Sequence, residues 1–379
     1  MRLALGISRD GYNLFVMGPP GSGKRTMLMQ VLTERARTAP TPDDWVYVNN
    51  FDEPAKPIAL RLPPGEGPKL KSDLAQLVEE LRTAIPAVFE SDEYRSREGQ
   101  LQAEFTERHD KAFAALAEEA APQKVGIVRT PAGFSIAPFK DGEVMSPEEF
   151  SQLPQSEQER IQKSIAELQG KLEQIIRHMI DWRREWRTRL KQLNREMTLF
   201  AVGHLVGDLK QRYAALPRVV AYLEAVERDV IEHDEDFRIA GQTPAAPPSA
   251  PTGVDASFAR YSVNVLVGNA AGNGPPVVDA DHPTHANLIG RVDHLSQFGA
   301  LVTDFTLIRP GALHRANGGC VLIDARKLLM QPFAWEALKR ALLSGEIRIE
   351  SLAEAYSLVS TVSLTPQPIP LDVKVVLLG

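Results

Sequence analysis

The chain has 379 residues, 43% hydrophobic and 24% charged, with a formal net charge of -6, the balance of an ordinary globular protein. That acidic charge gives no support for a nucleic-acid surface, for which a basic patch is the expected footprint, and no apolar run approaches the ~18 residues of a membrane span. Cys320 is the only cysteine, so no internal disulfide can form, which fits a reducing compartment such as the cytoplasm.

Met1 to Asp10 lack the charged start, apolar core and small-residue cleavage site of a signal peptide. A short apolar run, Tyr12 to Met17, stops at Gly18 and reads as a central parallel strand. A glycine-rich turn, a helix from Lys24 to Ala36 and a second strand from Trp45 to Asn50 follow. This order is the start of an open α/β sheet. Pro54, Pro57, Pro63, Pro64 and Pro68 then break the pattern.

From about Lys69 to Phe237 the chain reads as mostly helical. Ile161, Ile165, Leu168, Leu172, Ile175, Met179, Trp182 and Trp186 step by threes and fours. The seam continues, after a slip, through Leu190, Leu193, Met197 and Phe200, a coiled-coil or long-hairpin signature. About 40 residues make a rod of roughly 60 Å. Trp182 and Trp186 read as seam packing. The basic run Arg183, Arg184, Arg187, Arg189 and Lys191 reads as a solvated outer face in an acidic protein. Within Lys124 to Lys140, two short strands around a Pro/Gly turn fit a β-hairpin. Ser146, Pro147 and Glu149 form a helix start, with a cap, a first-position proline and a capping-box acid.

Gly241 to Ser257 is a proline-rich linker, after which the α/β pattern resumes. Strands are expected at Tyr261 to Val267, Gly319 to Asp324 and Val373 to Leu378, with a helix at Phe333 to Ser344. The expected division is an N-terminal α/β part at 1–60, a helical insertion at 61–240, the linker at 241–257 and a C-terminal α/β part at 258–379. Asp372 to Gly379 read as a buried strand cut off at its end, so both termini are expected to be truncated relative to the complete gene product.

Gly18-Pro19-Pro20-Gly21-Ser22-Gly23-Lys24 matches most of a phosphate-binding loop. Glycines let backbone N–H groups turn toward phosphates, the following helix adds its positive end, and Lys24 supplies a charge for the β- and γ-phosphates of ATP. The eighth position, which should be Ser or Thr to hold Mg²⁺, is Arg25. Thr26 lies next, about 100° further round the helix, and is an imperfect substitute. Cys320-Val321-Leu322-Ile323-Asp324 is an apolar run ending in an acid, as a Walker B strand carries its carboxylate to Mg²⁺. Asp324 and Thr26 are therefore the candidate metal ligands. The next residue is Ala325, which cannot act as a general base.

Three stretches resemble Lon-like proteases of the LonB/LonC type: Pro283 to Arg291, Gly311 to Gly319, and Trp335 to Ile349. So does the run Asn49 to Pro54 together with the helical insertion. The resemblance covers essentially the whole chain. It implies an AAA+ P-loop parallel-sheet domain, of α/β class, interrupted by a long coiled-coil insertion with a small β-hairpin. It further implies ATP and Mg²⁺, a hexameric ring, and delivery of unfolded protein to a Ser-Lys serine-type peptidase domain that this chain does not contain. No nucleophile is assigned. A helical arm at the ring's entrance would admit or gate substrate. Arg340 and Arg348 are equally balanced between an arginine-finger or sensor role and ordinary surface arginines.

His282, His285 and His294 lack a Cys or carboxylate to complete a metal ligand set and read as loop or surface residues. His314 reads as a structural hydrogen-bonding residue, and Cys320 as a small core hydrophobe. Two further functions remain open: a coiled-coil P-loop ATPase associated with DNA, and a nucleotide-gated scaffold without turnover. All three readings require Lys24 and Asp324 to meet at one edge of a shared sheet.

Overall fold

The computed structural model describes residues 11–19, 21–130, 133–140, 143–242, 257–297, 300–350 and 364–379. Pro20, Met1 to Asp10 and the expected linker at 241–257, except its ends, lie outside them. In chain order the elements are β1 (Leu14–Val16), α1 (Lys24–Ala36), β2 (Asp44–Val48), β3 (Ile58–Leu62), α2 (Glu66–Glu90), α3 (Asp92–Ala120), β4 (Val125–Thr130), β5 (Gly133–Lys140), β6 (Glu143–Val144), α4 (Pro147–Ser151) and α5 (Gln155–Arg212). There follow α6 (Pro217–Glu232), α7 (Asp234–Gln242), β7 (Val263–Val267), β8 (Val277–Ala280), α8 (His285–Ile289), β9 (Gly290–Val292), β10 (Leu295–Gln297), β11 (Ala300–Val302), β12 (Ile308–Pro310), α9 (Ala312–Arg315), β13 (Gly319–Asp324), α10 (Ala325–Met330), α11 (Ala334–Ser344), β14 (Glu346–Ile347), β15 (Ile369–Pro370) and β16 (Val373–Leu378). Two compact units result, 1–84 with 202–379, and 85–201. Their boundaries fall inside α2 and α5, not at residues 60 and 241, where composition changes.

In the first unit a parallel sheet has the order β1-β16-β13-β8. Its two central strands, β13 and β16, carry the buried apolar residues, as parallel strands covered on both faces do, while the edge strands β1 and β8 are only partly buried. Side-chain alternation sends Leu322, Val376 and Leu378 to one face, where Leu28 and Leu32 of α1 pack on them. Val321, Ile323 and Val375 go to the other, against Leu288, Leu313, Leu328 and Leu338 from α8 to α11. The result is a three-layer α/β arrangement.

Two strands expected in that sheet lie elsewhere. β2, read as Trp45 to Asn50, and β7, read as Tyr261 to Val267, form a separate antiparallel sheet of order β3-β2-β7. The fourth parallel strand is β8, which the sequence reading does not include. β2 is held in place by Asp44, fully buried, whose carboxylate accepts N–H bonds from Gly67 at 2.8 Å and Asn269 at 2.7 Å. Tyr47, also buried, donates its hydroxyl to the Gln367 carbonyl at 2.7 Å. A buried carboxylate without such donors would be costly, so the acid fixes where this strand pairs.

In the second unit α3 and α5 run antiparallel. As the residue number falls along one it rises along the other: Arg97 pairs with Glu196, Glu104 with Arg189, Arg108 with Glu185, and Glu119 with Lys171. Exposed pairs of this kind contribute at most ~1 kcal/mol each, so the apolar seam carries the stability. Leu116, Ala120, Val125 and Ile136 bury Ile161, Leu168 and Leu172, and Phe105 lies 6.2 Å from Trp186, ring to ring. The seam ends earlier than expected. Phe200 is 81% exposed, and the next buried apolar residue after Met197 is Val202, five positions on. β4 and β5 pair antiparallel from Val125↔Pro138 to Thr130↔Gly133. Ser146 caps α4, with Glu149 returning a bond to the Ser146 N–H at 2.9 Å. Of the basic run, Arg183, Arg184 and Arg187 are exposed, and Arg189 bonds Glu104 and Glu185.

Candidate nucleotide site

β1 ends at Val16 and hands the chain to the glycine-rich loop. Gly21 and Gly23 take positive φ, 78° and 71°, a region that side chains rarely enter, so the loop can turn its backbone sharply before α1. The N–H groups of the first turn of α1 have no partner within the helix and point toward the space beyond the loop. Lys24 extends back across the loop, with its Nζ donating to the Gly18 carbonyl at 2.5 Å and to the carbonyl of Gly379.

Strand register settles where Asp324 lies relative to Lys24. Val16 stands opposite Leu378, and Leu378 opposite Asp324. Two strand spacings therefore separate the ends of β1 and β13, ~10 Å at the backbone. Both reach the carboxyl edge of one sheet, the usual place for ligands in open α/β folds. Pro19, Gly21, Ser22, Gly23 and Lys24 gather at this edge with Asp324.

Arg25 and Thr26 separate. Leu28 and Leu32 mark the face of α1 that lies on the sheet, and Arg25 shares it by helical spacing. Thr26 is exposed, so its hydroxyl does not take the place that Arg25 occupies. The Arg25 guanidinium grips β8: Nε donates to Asp279 Oδ2 at 2.7 Å, Nη2 to the other oxygen of that carboxylate, and Nη1 and Nη2 to Asp281 Oδ1 at 3.3 Å each. Lys327 Nζ reaches the same Asp281 oxygen at 2.6 Å. Lys327, and after it Arg25, hold the Asp281 carboxyl below the usual carboxylate range. Asp324 caps α10, accepting the Lys327 N–H at 2.9 Å. Asp279, Asp281 and Lys327 are absent from the sequence-derived candidates. The run Val277-Val278-Asp279-Ala280-Asp281, an apolar strand end with acids two apart, is the signal that could have found them.

The donor set fits Mg²⁺ poorly. A guanidinium replaces the expected hydroxyl, and Asp279, Asp281 and Asp324 already accept from protein donors. Ala325 begins α10 and brings no carboxylate to the edge.

Other expected residues lie away from this edge. Arg340 bonds Glu350 at 2.9 Å and Arg348 bonds Glu346 at 2.6 Å. Both arginines line a pocket of about 290 Å³ with His285. Burial lowers the pKa of His285. His282 uses its carbonyl to accept from Asn287 at 3.0 Å. His314 is buried and accepts the Gly311 N–H on Nδ1 at 3.3 Å. Cys320 is half-buried, and burial raises its thiol pKa. A larger cavity, about 710 Å³, opens at the opposite, amino-terminal edge beside Tyr12, Cys320 and Lys374. It is remote from the phosphate loop by sheet polarity and is not the nucleotide site.

Residues 273–379 match the family model of the LonB-like AAA domain, and residues 44–77 that of the Lon-like LonC helical domain. The first match contains β8, β13 and β16; the second begins on β2 and ends within α2. An AAA domain implies nucleotide binding. The phosphate loop lies outside both segments, and β1 is joined to the matched sheet through its pairing with β16. No curated protein matches the chain. No helix among the described residues is long and apolar enough to cross a membrane.

Proposed function

We propose that this chain, a member of the Lon-like AAA+ family by its two matched segments, is the ATP-binding module of an ATP-dependent serine protease that handles unfolded or damaged proteins. The module works in a homo-oligomeric, hexameric ring, in the cytoplasm. The helical unit at 85–201 serves as the arm that admits or gates substrate. The observation that carries nucleotide binding is the alignment of Val16, Leu378 and Asp324 at one sheet edge, with Lys24 above them.

ATP is bound more than it is turned over. No carboxylate follows Asp324, and losing a general base costs typically ~10²- to 10⁴-fold in rate. Steady-state turnover is expected at least roughly a hundredfold below the ~10 s⁻¹ median of enzymes. Lys24→Ala should weaken binding of a fluorescent ATP analogue by roughly 30- to 100-fold, the worth of one charge-assisted phosphate contact. Fluorescence anisotropy with purified protein is the direct measurement. Wild-type protein with no affinity for adenine nucleotides would end this reading, and brisk turnover would end its non-hydrolysing part.

A further inference from the structure

The corner between α1, β8 and α10 holds two cations of the chain's own, Arg25 and Lys327, against Asp279 and Asp281. Alternation puts Asp279 and Asp281 on the same side of the β8 line, and Arg25, on the sheet-facing stripe of α1, bonds both. The grip on Asp279 is two-pronged, the geometry for which a guanidinium is suited and an ammonium is not. Lys327 engages Asp281 from α10, and its backbone N–H engages Asp324. Two of the three carboxylates at this edge, Asp279 and Asp281, are thus matched by the chain's own cations, while Asp324 accepts a backbone N–H on one oxygen as a helix cap. Hard cations such as Mg²⁺ need oxygen ligands in near-octahedral array, and a guanidinium remains protonated throughout the accessible pH range.

We propose that Arg25 replaces the metal: the phosphate loop binds nucleoside triphosphate without Mg²⁺, and Arg25, held by Asp279 and Asp281, is the residue that makes binding metal-independent. This rests on the nucleotide-binding reading above. The two longer bonds to Asp281, at 3.3 Å, are the ones Arg25 can release toward a phosphate, while Asp279 keeps its stem oriented. Lys327 then remains as the partner of Asp281, so neither Asp279 nor Asp281 is left without a cation.

The test is the affinity for a fluorescent ATP analogue, with excess Mg²⁺ and with EDTA, for the full chain and its Arg25→Thr variant. Wild type is expected to bind in EDTA within threefold of its affinity in Mg²⁺, or more tightly. Arg25→Thr restores the hydroxyl and frees Asp279, and should bind at least tenfold more tightly with Mg²⁺ than without. Wild-type binding strengthened tenfold or more by Mg²⁺ would overturn the proposal and leave the nucleotide reading standing. Metal-independent binding by both proteins would overturn the assignment to Arg25. No wild-type binding in either condition would remove the nucleotide reading itself, and this proposal with it.

Discussion

Gly311→Ala is expected to destabilise the first unit by about 3 kcal/mol or more, or to prevent its folding. Gly311 is the residue before α9, in extended conformation with φ -88°, so its backbone would tolerate any side chain. The obstacle is space. A Cβ there would fall on the Leu288 carbonyl and the Gly290 amide nitrogen. These are backbone atoms, and they cannot swing aside as a side chain can. Gly290 is fixed in turn by pairing with Pro310 across β9 and β12. The change would otherwise stabilise by up to ~1 kcal/mol through the unfolded chain, so the two effects oppose and the collision decides the sign. Gly170→Ala is the control, since its Cβ would meet nothing within 4 Å in α5. It should stabilise the second unit by about 1 kcal/mol. Urea unfolding followed by circular dichroism measures both. An unshifted midpoint for Gly311→Ala would mean that the close approach does not exist.

Much of the nucleotide site is legible in the sequence because it is local. A strand, a glycine turn, a lysine and a helix are consecutive, and each step has its own residue signature. The Asp324 strand is legible for the same reason. Pairing between distant segments is less so. β2 and β7 read as good buried strands, but nothing in their apolar residues says which sheet receives them. The choice is made by Asp44, whose two N–H donors, Gly67 and Asn269, lie far off along the chain. β8 is short, begins after Pro275 and Pro276, and carries one acid, Asp279, with a second, Asp281, just past its end, which lowers its apolar content below a strand signal. Its acids gain meaning only when Arg25 is seen across from them. The seam of α5 could be counted out as far as Met197. Its last step, to Phe200, fails because the next buried apolar residue is Val202, five positions beyond Met197, a shift that spacing by threes and fours does not announce.

Acid should weaken the first unit through His314, well above the pH at which carboxylates protonate. The imidazole is buried in α9, and Nδ1 accepts the Gly311 N–H at 3.3 Å, which assigns the proton to Nε2. Nε2 has no hydrogen-bond partner among the described residues, so no carboxylate waits to stabilise the cation. Burial lowers the His314 pKa to about 3, against ~6.5 for an unfolded chain. Between those values the unfolded state binds the extra proton. The contribution to stability is therefore complete above pH ~6.5 and is lost as pH falls toward the folded value, by up to ~1.4 kcal/mol per pH unit. From pH 6.5 to 4.5 the loss should be about 2 kcal/mol. His314→Asn can still accept from Gly311 but cannot titrate. Its stability should be lower at pH 7, yet flatter between pH 6.5 and 5, where few carboxylates contribute. Urea midpoints across that window discriminate: equal slopes for wild type and His314→Asn would show that the buried imidazole is not the group that responds to acid. Because α9 leads directly into β13, the same acid loosening should lower nucleotide affinity in parallel, through the strand that carries Asp324.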